Sequence, residues 1–548
     1  MNTTLSIHGA AGCVTGSCYR LTTPRATVLV DCGMFQGSKT LKGLNYEPFP
    51  FDVRAVDAVL LTHAHIDHSG LLPKLARAGY RGPIWATAGT RDLCEVMLAD
   101  AAHIQESEVE QLNRRNQRRG RPSVEPIYTV RDAGRTMELF RSIKLGHEID
   151  VAPGVRARWW NAGHILGSAS IEVLIDEETP LRLLFSGDLG TGGRDFLADP
   201  EGPSGVDHLI MESTYGDRVR PPLTPDQRRS LLAEELRAAH EAGGPLLIPA
   251  FAVERTQELL ADLLQVMANG SAPAADVFLD SPLAIEATEV FLSRGYSATA
   301  GRNPFEALQA GERLRFLRTP QESDGLDRLR GWHVIMAASG MCDAGRVRKH
   351  LKRLLWRADA TVLLNGFQVQ GTLGRLLADG VRHVRIQGDE IRVQARVRSI
   401  DTYSGHADAA NLTDWALRRQ PIGGKLFLCH GEPASSSGLA DRLAQAGFDR
   451  DRLVLPTLDQ SFRLGPTEAG ALTPTTARLA PGPAPSLDWH NARAALLGEL
   501  DERLDALADD AARMALLEGV RRLVEGGPPR TSEVVPDARL EPVPYSSS

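Results

Sequence analysis

His63-Ala64-His65-Ile66-Asp67-His68 puts four metal-binding side chains within six residues, immediately after the strand-like run Ala58-Val59-Leu60-Leu61 that ends at Thr62. A loop leaving a strand can turn imidazoles at alternate positions toward one point and the next pair toward a second. Nitrogen and carboxylate oxygen without thiolate suit zinc, and the set lacks the closed, cysteine-rich character of a structural zinc cage. Other candidates stand in like settings. Asp31 ends Val28-Leu29-Val30, Asp188 follows the run Leu181–Phe185, Glu212 ends Leu209-Ile210-Met211, and His430 follows Lys425–Cys429. His164 lies in Asn161-Ala162-Gly163-His164-Ile165-Leu166-Gly167-Ser168. Each is at the carboxyl end of a strand-like run or in a loop beside one, the edge at which α/β sheets collect their active sites. Any one alone reads as a cap or turn residue; together they do not.

Outward from this cluster, strand-like runs alternate with helical periods to about residue 430, the pattern of an α/β architecture. The stretch from about 95 to 118 is helical and increasingly charged. A fresh series begins near residue 244 with Pro245-Leu246-Leu247-Ile248-Pro249, followed by a helical stretch from Glu254 to Met267. Further strand-like runs at Asp276–Leu279, Val334–Ala337 and Thr361–Leu364 each lead into helical sequence. Lys425–Leu428 then returns to a histidine that belongs with the first set, so one domain is expected to be inserted into another. The expected boundaries are a first domain over 1–212 that resumes over 396–464, with the insert at 213–395. Residues 465–486, rich in Pro, Ala, Thr and Gly, read as a linker. In the tail, 487–548, Leu497, Leu500, Leu504, Leu507, Ala511 and Met514 follow a 3-4 spacing on one helix face. That face serves a helix docked on its own chain or a homodimer or partner helix equally well, and part of the tail is expected to be disordered.

The chain has 548 residues, 42% hydrophobic and 24% charged, the composition of a soluble globular protein too long for one core. No run of about 18 apolar residues suggests a membrane span, and no basic-then-apolar leader opens the chain. Six scattered cysteines without a CxxC pair read as reduced thiols, which points to a cytoplasmic location. A net charge of -7 argues against general affinity for nucleic acid, so such a partner would have to be met by local basic patches. Arg114, Arg115, Arg118, Arg119 and Arg121 form one patch, although a solvated helix end explains that run equally well. Gly340 and Gly345 precede Arg346, Arg348, Lys349, His350, Lys352 and Arg353, where free backbone N–H groups at a helix start could receive a phosphate. Arg346, Lys349 and Arg115 are the candidate RNA phosphate contacts. No Walker A pattern is present, so no nucleotide fuel is implied.

These residues resemble the motifs of the metallo-β-lactamase superfamily, and within it the β-CASP nucleases, the group of the mRNA cleavage and polyadenylation endonuclease and ribonuclease J. Asp31 matches the first superfamily motif, His63-x-His65-x-Asp67-His68 the second, His164 the third and Asp188 the fourth. Glu212, His406 in Ser404-Gly405-His406-Ala407-Asp408, and His430 in Cys429-His430-Gly431-Glu432 match the motifs particular to the β-CASP group. Pro249-Ala250-Phe251-Ala252-Val253-Glu254-Arg255 and Gly340-Met341-Cys342-Asp343-Ala344-Gly345-Arg346 look like the RNA-processing branch. The resemblance covers about residues 5–435; the tail from about 470 has no counterpart. It implies an αββα sandwich with an inserted α/β β-CASP domain, followed here by a helical C-terminal tail.

It also implies two Zn²⁺, one taking His63, His65, His164 and Asp188, the other Asp67, His68, His430 and the shared Asp188. Asp31 would steady a ligand histidine through its remaining N–H. A zinc pair lowers the pKa of water toward neutrality and offsets phosphodiester charge. Asp67 would orient the attacking water and accept its proton, and His406, paired with Glu212, would protonate the leaving oxygen. The expected reaction is zinc-dependent hydrolysis of single-stranded RNA to 5′-phosphate and 3′-hydroxyl products, in RNA processing or decay. Histidine at 430, where DNA-directed members tend to be apolar, favours RNA. The alternatives are a DNA nuclease of the same fold and a catalytically idle RNA-binding subunit; small-molecule hydrolases with the same loop motif lack the long insert.

Overall fold

The computed structural model describes residues 3–193, 197–221, 223–251, 253–293, 313–366, 368–369, 371–472, 478–479 and 489–525. The chain divides into two units, one ending at Asn491 and the other beginning at Ala492.

Successive residues of a strand face opposite ways, and in the first unit both faces of the central strands are apolar. Val28, Val30 and Leu60 enter one core while Leu29, Val59 and Leu61 enter another. A sheet buried on both sides needs a second sheet on one face and helices on the other. The eight-stranded sheet runs in the order Ala469–Leu472, Gln460–Leu464, Thr4–Ile7, Tyr19–Thr22, Thr27–Val30, Ala58–Leu60, Ile84–Thr87, Phe140–Ile143. Its partner has seven strands, in the order Leu453–Val454, Leu426–Cys429, His208–Glu212, Leu181–Phe185, Ala169–Ile175, Val155–Asn161, Glu148–Ala152. Leu5, Ile7, Leu21 and Val28 meet Trp159, Val173, Leu183, Phe185, Ile210 and Phe427 between the sheets. Each such side chain, once buried, contributes about 1.5–3 kcal/mol. On the outer face of the second sheet, Leu209, Met211, Leu426 and Leu428 pack with Leu412 and Trp415 of the helix Ala409–Leu417 and Leu439 of the helix Pro433–Gln445. The result is the αββα sandwich.

Between Glu212 and the return strand lies the insert, a six-stranded parallel sheet ordered Leu314–Phe316, Val277–Leu279, Val334–Ala337, Leu246–Pro249, Thr361–Asn365, Arg396–Ile400. Leu246, Ile248 and Leu363 face one core and Leu247, Val362 and Leu364 the other. After the insert the chain comes back as Leu426–Cys429, parallel to His208–Glu212 with Cys429 opposite Glu212. That pairing carries the residue after Cys429 to the sheet edge where Glu212 ends.

Three expectations are corrected. The insert does not stop at 395: Arg396–Ile400 pairs along the whole of Thr361–Asn365 and closes the insert sheet, because its alternation completes the parallel ladder. The segment read as a linker from 465 opens with a strand, Ala469–Leu472, bonded to Gln460–Leu464; small residues suffice at a sheet edge. The single apolar helix face from Leu497 to Met514 is broken. Helices Trp489–Ala506 and Asp510–Glu525 are separate, and the Asp509 carboxylate, accepting from the Ala512 N–H at 2.8 Å, caps the second. The expectation that part of 487–548 is disordered falls on residues outside those described.

One buried polar network ties the insert to the chain that follows it. Arg228, on the helix Pro225–Glu241, donates to Asp262 at 2.8 Å and bonds Glu258, both on the helix Arg255–Ala268. The Tyr403 hydroxyl donates to the same Asp262 at 2.9 Å, and the guanidinium lies over its ring at 5.2 Å. Tyr403 is wholly buried and is followed at once by Ser404-Gly405-His406. Removing the cation leaves two buried carboxylates poorly compensated, which costs about 3–5 kcal/mol. Arg228→Ala is therefore expected to lower the unfolding free energy by that amount, read as a lower urea midpoint; an unchanged midpoint would mean the network is not under load.

Candidate metal centre

Parallel pairing aligns the carboxyl ends of Thr27–Val30, Ala58–Leu60, Leu181–Phe185, His208–Glu212 and Leu426–Cys429, and the loops leaving those ends carry Asp31, His63–His68, Asp188, Glu212 and His430. The 63–68 loop turns into one helical turn, Ile66–Ser69, pinned from beneath by backbone bonds from Ser17 N to Asp67 O and Cys32 N to His68 O, both 2.8 Å. Gly33 permits this approach: a Cβ there would fall 1.7 Å from the Asp67 carbonyl oxygen. Asp31 and His430 both take the left-handed conformation, with φ of 62° and 49°, which turns their side chains back across the sheet edge. Such strain in non-glycine residues persists where surrounding bonds over-determine it.

Two groups of donor atoms result. In the first, His63, His65, His164 and Asp188 each offer an atom within 4.8 Å of the others. The Nε2 atoms of His63 and His164 lie 3.1 and 3.2 Å from Nδ1 of His65, and each is 3.5 Å from Oδ2 of Asp188. In the second, His68 Nε2 and His430 Nε2 are 3.1 Å apart, Asp67 Oδ2 is 3.5 Å from the latter, and Asp188 Oδ1 is 3.3 Å from the former. Zinc bound tetrahedrally to nitrogen at about 2.0–2.1 Å sets its donor atoms about 3.3 Å apart, which is the spacing of these groups.

The other ring nitrogens fix which atom faces inward. His164 Nδ1 donates to the Gly405 carbonyl at 3.1 Å, His68 Nδ1 to Asp31 at 2.7 Å and His430 Nδ1 to the Thr214 hydroxyl at 3.1 Å. Thr62 donates to Asp31 at 2.9 Å and stands 3.0 Å from His63 Nδ1. With those hydrogens directed outward, the neutral rings of His63 and His164 turn lone pairs toward the His65 nitrogen with no proton of their own between them. Asp188 is 2% exposed, and its Oδ1 has no hydrogen-bond partner. Converging lone pairs and a buried, unsatisfied carboxylate oxygen are the arrangement a bound cation satisfies, so the residues fit two zinc ions.

Electrostatics separate the two groups. Burial and neighbouring rings push His63, His65 and His164 below the usual imidazole range, so they are neutral, the state that binds metal. Burial opposes charge on His68 too, but Asp188 and Asp31 outweigh it and raise its pKa well above the ordinary value; Asp188 and Asp67 do the same for His430. The Asp188 and Asp67 carboxyls, although buried, are held below the usual carboxylate range by these imidazoles.

His406 is brought to the centre by the chain between Arg396–Ile400 and the helix Ala409–Leu417. Its Nδ1 is 3.4 Å from both Glu212 oxygens and 3.8 Å from Asp188 Oδ2, and its ring lies 4.6 Å from that of His164. Ala407 N donates to Leu189 O at 2.7 Å, and Glu212 accepts from Leu189 N at 2.6 Å, so the same turn holds both partners. Asp408 caps the helix Ala409–Leu417. Sequence reasoning missed Thr62, Thr214 and the Gly405 carbonyl; the signal for each is its place beside a ligand motif, one residue before His63, two after Glu212 and one before His406.

The three candidate phosphate contacts do not join the site. Arg346 is bonded to Asp280 at 2.6 Å and to the Leu317 and Arg318 carbonyls, Lys349 is paired with Asp324, and Arg115 donates to the Gln387 carbonyl at 2.9 Å. Their positive charge is used within the insert and along its seam with the helix Ala88–Arg118.

Comparison with known proteins finds three family matches in this order along the chain. The metallo-beta-lactamase superfamily matches residues 11–141, the Beta-Casp domain 256–377, and a Zn-dependent metallo-hydrolase RNA specificity domain 390–451. The chain is 37% identical over 447 residues to a ribonuclease of Thermus thermophilus, covering 80% of this chain and 95% of that one. It is 30% identical over 481 residues to a transcription termination factor of Cenarchaeum symbiosum (84% and 70%), and 29% identical over 450 residues to an RNase J-like protein of Methanocaldococcus jannaschii (80% and 94%).

Asp31→Asn keeps the shape of the residue but replaces an acceptor oxygen facing Thr62 or His68 with a donor. It is expected to weaken metal uptake about 10–100-fold, as loss of such an outer partner does. Competition against a chromogenic chelator would measure this, and unchanged affinity would remove Asp31 from the centre's support.

Proposed function

The chain belongs to the β-CASP group of the metallo-β-lactamase superfamily, and from that premise we propose that it is a two-zinc ribonuclease. In this reading it hydrolyses phosphodiester bonds of single-stranded RNA to 5′-phosphate and 3′-hydroxyl ends, in RNA processing or decay. The observation that carries it is the meeting of two ligand groups at Asp188 beside the buried His406–Glu212 pair. Two relatives named as ribonucleases or like one, both aligned over nearly their whole length, support RNA as the substrate.

His63, His65 and His164 would hold one zinc and Asp67, His68 and His430 the other, with Asp188 shared. Bound there, the metals supply a water acidic enough to attack near neutral pH and positive charge for the phosphoryl oxygens. The chain's own groups do the rest. Asp67, half-buried at the first turn after His65, orients the attacking water through its free carboxylate oxygen and takes up its proton. His406 delivers a proton to the departing 3′ oxygen. Glu212, held by the Leu189 amide, keeps the His406 ring turned toward the centre. Thr62, Thr214 and the Gly405 carbonyl keep the ligand nitrogens aimed, so little reorganisation accompanies the reaction.

RNA labelled separately at each end, beside a DNA of identical sequence, tests the reading. The zinc-loaded protein is expected to cut the RNA, leave the DNA largely intact and lose activity on chelation. His406→Ala is expected to retain its metal while slowing cleavage about 10²–10⁴-fold, the usual contribution of a general acid. A metal-loaded His406→Ala protein with the full rate would remove the acid role, and a zinc-loaded wild type inert toward RNA would remove the function.

A further inference from the structure

Two crossings join the insert to the sandwich, one from Glu212 to the helix Pro225–Glu241 and one from Ile400 to the helix Ala409–Leu417. His406 lies in the second. Glu212 faces its ring, and a residue of the first crossing, Arg220, holds its backbone. The Arg220 N–H donates to Asp408 Oδ2 at 2.8 Å, and the Ala409 N–H donates to the Arg218 carbonyl at 2.8 Å, so the crossings run side by side. From that anchor the half-buried guanidinium reaches back along the second crossing. It donates to the His406 carbonyl and, at 3.4 Å, to the Asp401 carbonyl, and it lies over the Tyr215 ring at 4.7 Å. Tyr215 is 1% exposed, and its ring meets that of His406 edge-on with centroids 6.1 Å apart. Arg220 thus touches His406 at the carbonyl and backs its ring through Tyr215.

The consequence falls on the two peptide planes that flank the His406 Cα. In the plane before it, the Gly405 carbonyl accepts from His164 Nδ1 at 3.1 Å. In the plane after it, the Ala407 N–H donates to the Leu189 carbonyl at 2.7 Å and the His406 carbonyl accepts from Arg220. Peptide units are rigid, so holding both planes sets φ and ψ at His406 and with them the direction of its Cα–Cβ bond. Without Arg220 the second plane is held at its N–H and can swivel about that contact. A guanidinium suits the task because its planar fork reaches two carbonyls while its face rests on an aromatic ring; a lysine ammonium does not do both.

We propose that Arg220 is a positioning residue for proton delivery: by holding the peptide that follows His406, it keeps the ring aimed at the departing 3′ oxygen. This rests on the ribonuclease reading above. There the water oxygen bonds to phosphorus as the bond from phosphorus to the 3′ oxygen breaks, Asp67 takes the water's proton, and the His406 proton passes to the 3′ oxygen. Arg220 acts through His406 alone.

An RNA with sulfur in place of one bridging 3′ oxygen separates this role from a merely structural one, because a thiolate leaves without being protonated. The sulfur is placed at a linkage that the wild type cuts, and zinc-loaded proteins are compared on this strand and its all-oxygen counterpart. Zinc content and the thermal midpoint are recorded alongside. Arg220→Ala is expected to lower kcat at the oxygen linkage about 10²-fold with KM unchanged, the cost of an ångström-scale misplacement. At the sulfur linkage it should stay within about threefold of wild type, since no proton is needed there. Arg220→Lys, which keeps one donor, is expected to recover about tenfold of the loss. A wild-type rate at the oxygen linkage in Arg220→Ala, or an equal loss at both linkages, overturns the proposal. If that variant does not fold, Arg220→Lys decides: a loss at the oxygen linkage alone supports the proposal, and any other pattern overturns it. His406→Ala reads the acid role separately. If it is slowed equally at both linkages, proton delivery by His406 falls and this role with it, whereas a selective loss in His406→Ala with none in Arg220→Ala removes only Arg220.

Discussion

The Asp188 carboxylate sits where two sets of ring nitrogens meet, one oxygen toward His63 and His164 and the other toward His68. Everything else about the site follows from holding that buried anion in place. It is too deep to be satisfied by water, so imidazoles must approach from several directions, and no single loop can supply them. Strand ends from both sheets are needed, together with a loop after the insert. The sandwich can therefore be understood as a frame whose parallel strands bring distant segments to one edge.

Close backbone approach is the second requirement, and glycine meets it where it matters. Gly33 lets the ligand turn rest on the strand end beneath it, and Gly405 lets the segment carrying His406 lie against His164. The insert is joined to this arrangement by a rigid route. Arg228, Glu258 and Asp262 fasten two of its helices together and hold Tyr403, so the three residues that follow it, ending at His406, inherit their position from the insert's core. Seam contacts act at longer range: Lys42 with Asp343 at 2.7 Å, Glu108 with Arg348 at 2.5 Å, and Arg115 with the Gln387 carbonyl.

Much of the architecture was legible before folding because the signals are local. A β-branched or leucine-rich run followed by a charged or imidazole residue marks a strand and its carboxyl end together, and the same reading located Asp31, Asp188, Glu212 and His430. What was not legible depends on tertiary partners. Arg396–Ile400 carries alternating arginines and reads as surface chain; only its pairing with Thr361–Asn365 makes it a strand of the insert. The heptad-like spacing from Leu497 to Met514 runs through Ala508-Asp509-Asp510, where capping competes with helix continuation and wins. Basic residues mislead for the same reason: Arg346 reads as free until Asp280 is found against it.

The order in which these pieces are made has its own consequence. Translation delivers the segments bearing His63, His164 and Asp188 well before His406 and His430, which emerge only after the whole insert. A nascent chain thus holds an incomplete second ligand group and no proton donor until the segments after the insert have left the ribosome. Under the proposed activity, the polypeptide would stay harmless to the message from which it is being read, and competence would arrive late, with the return strand.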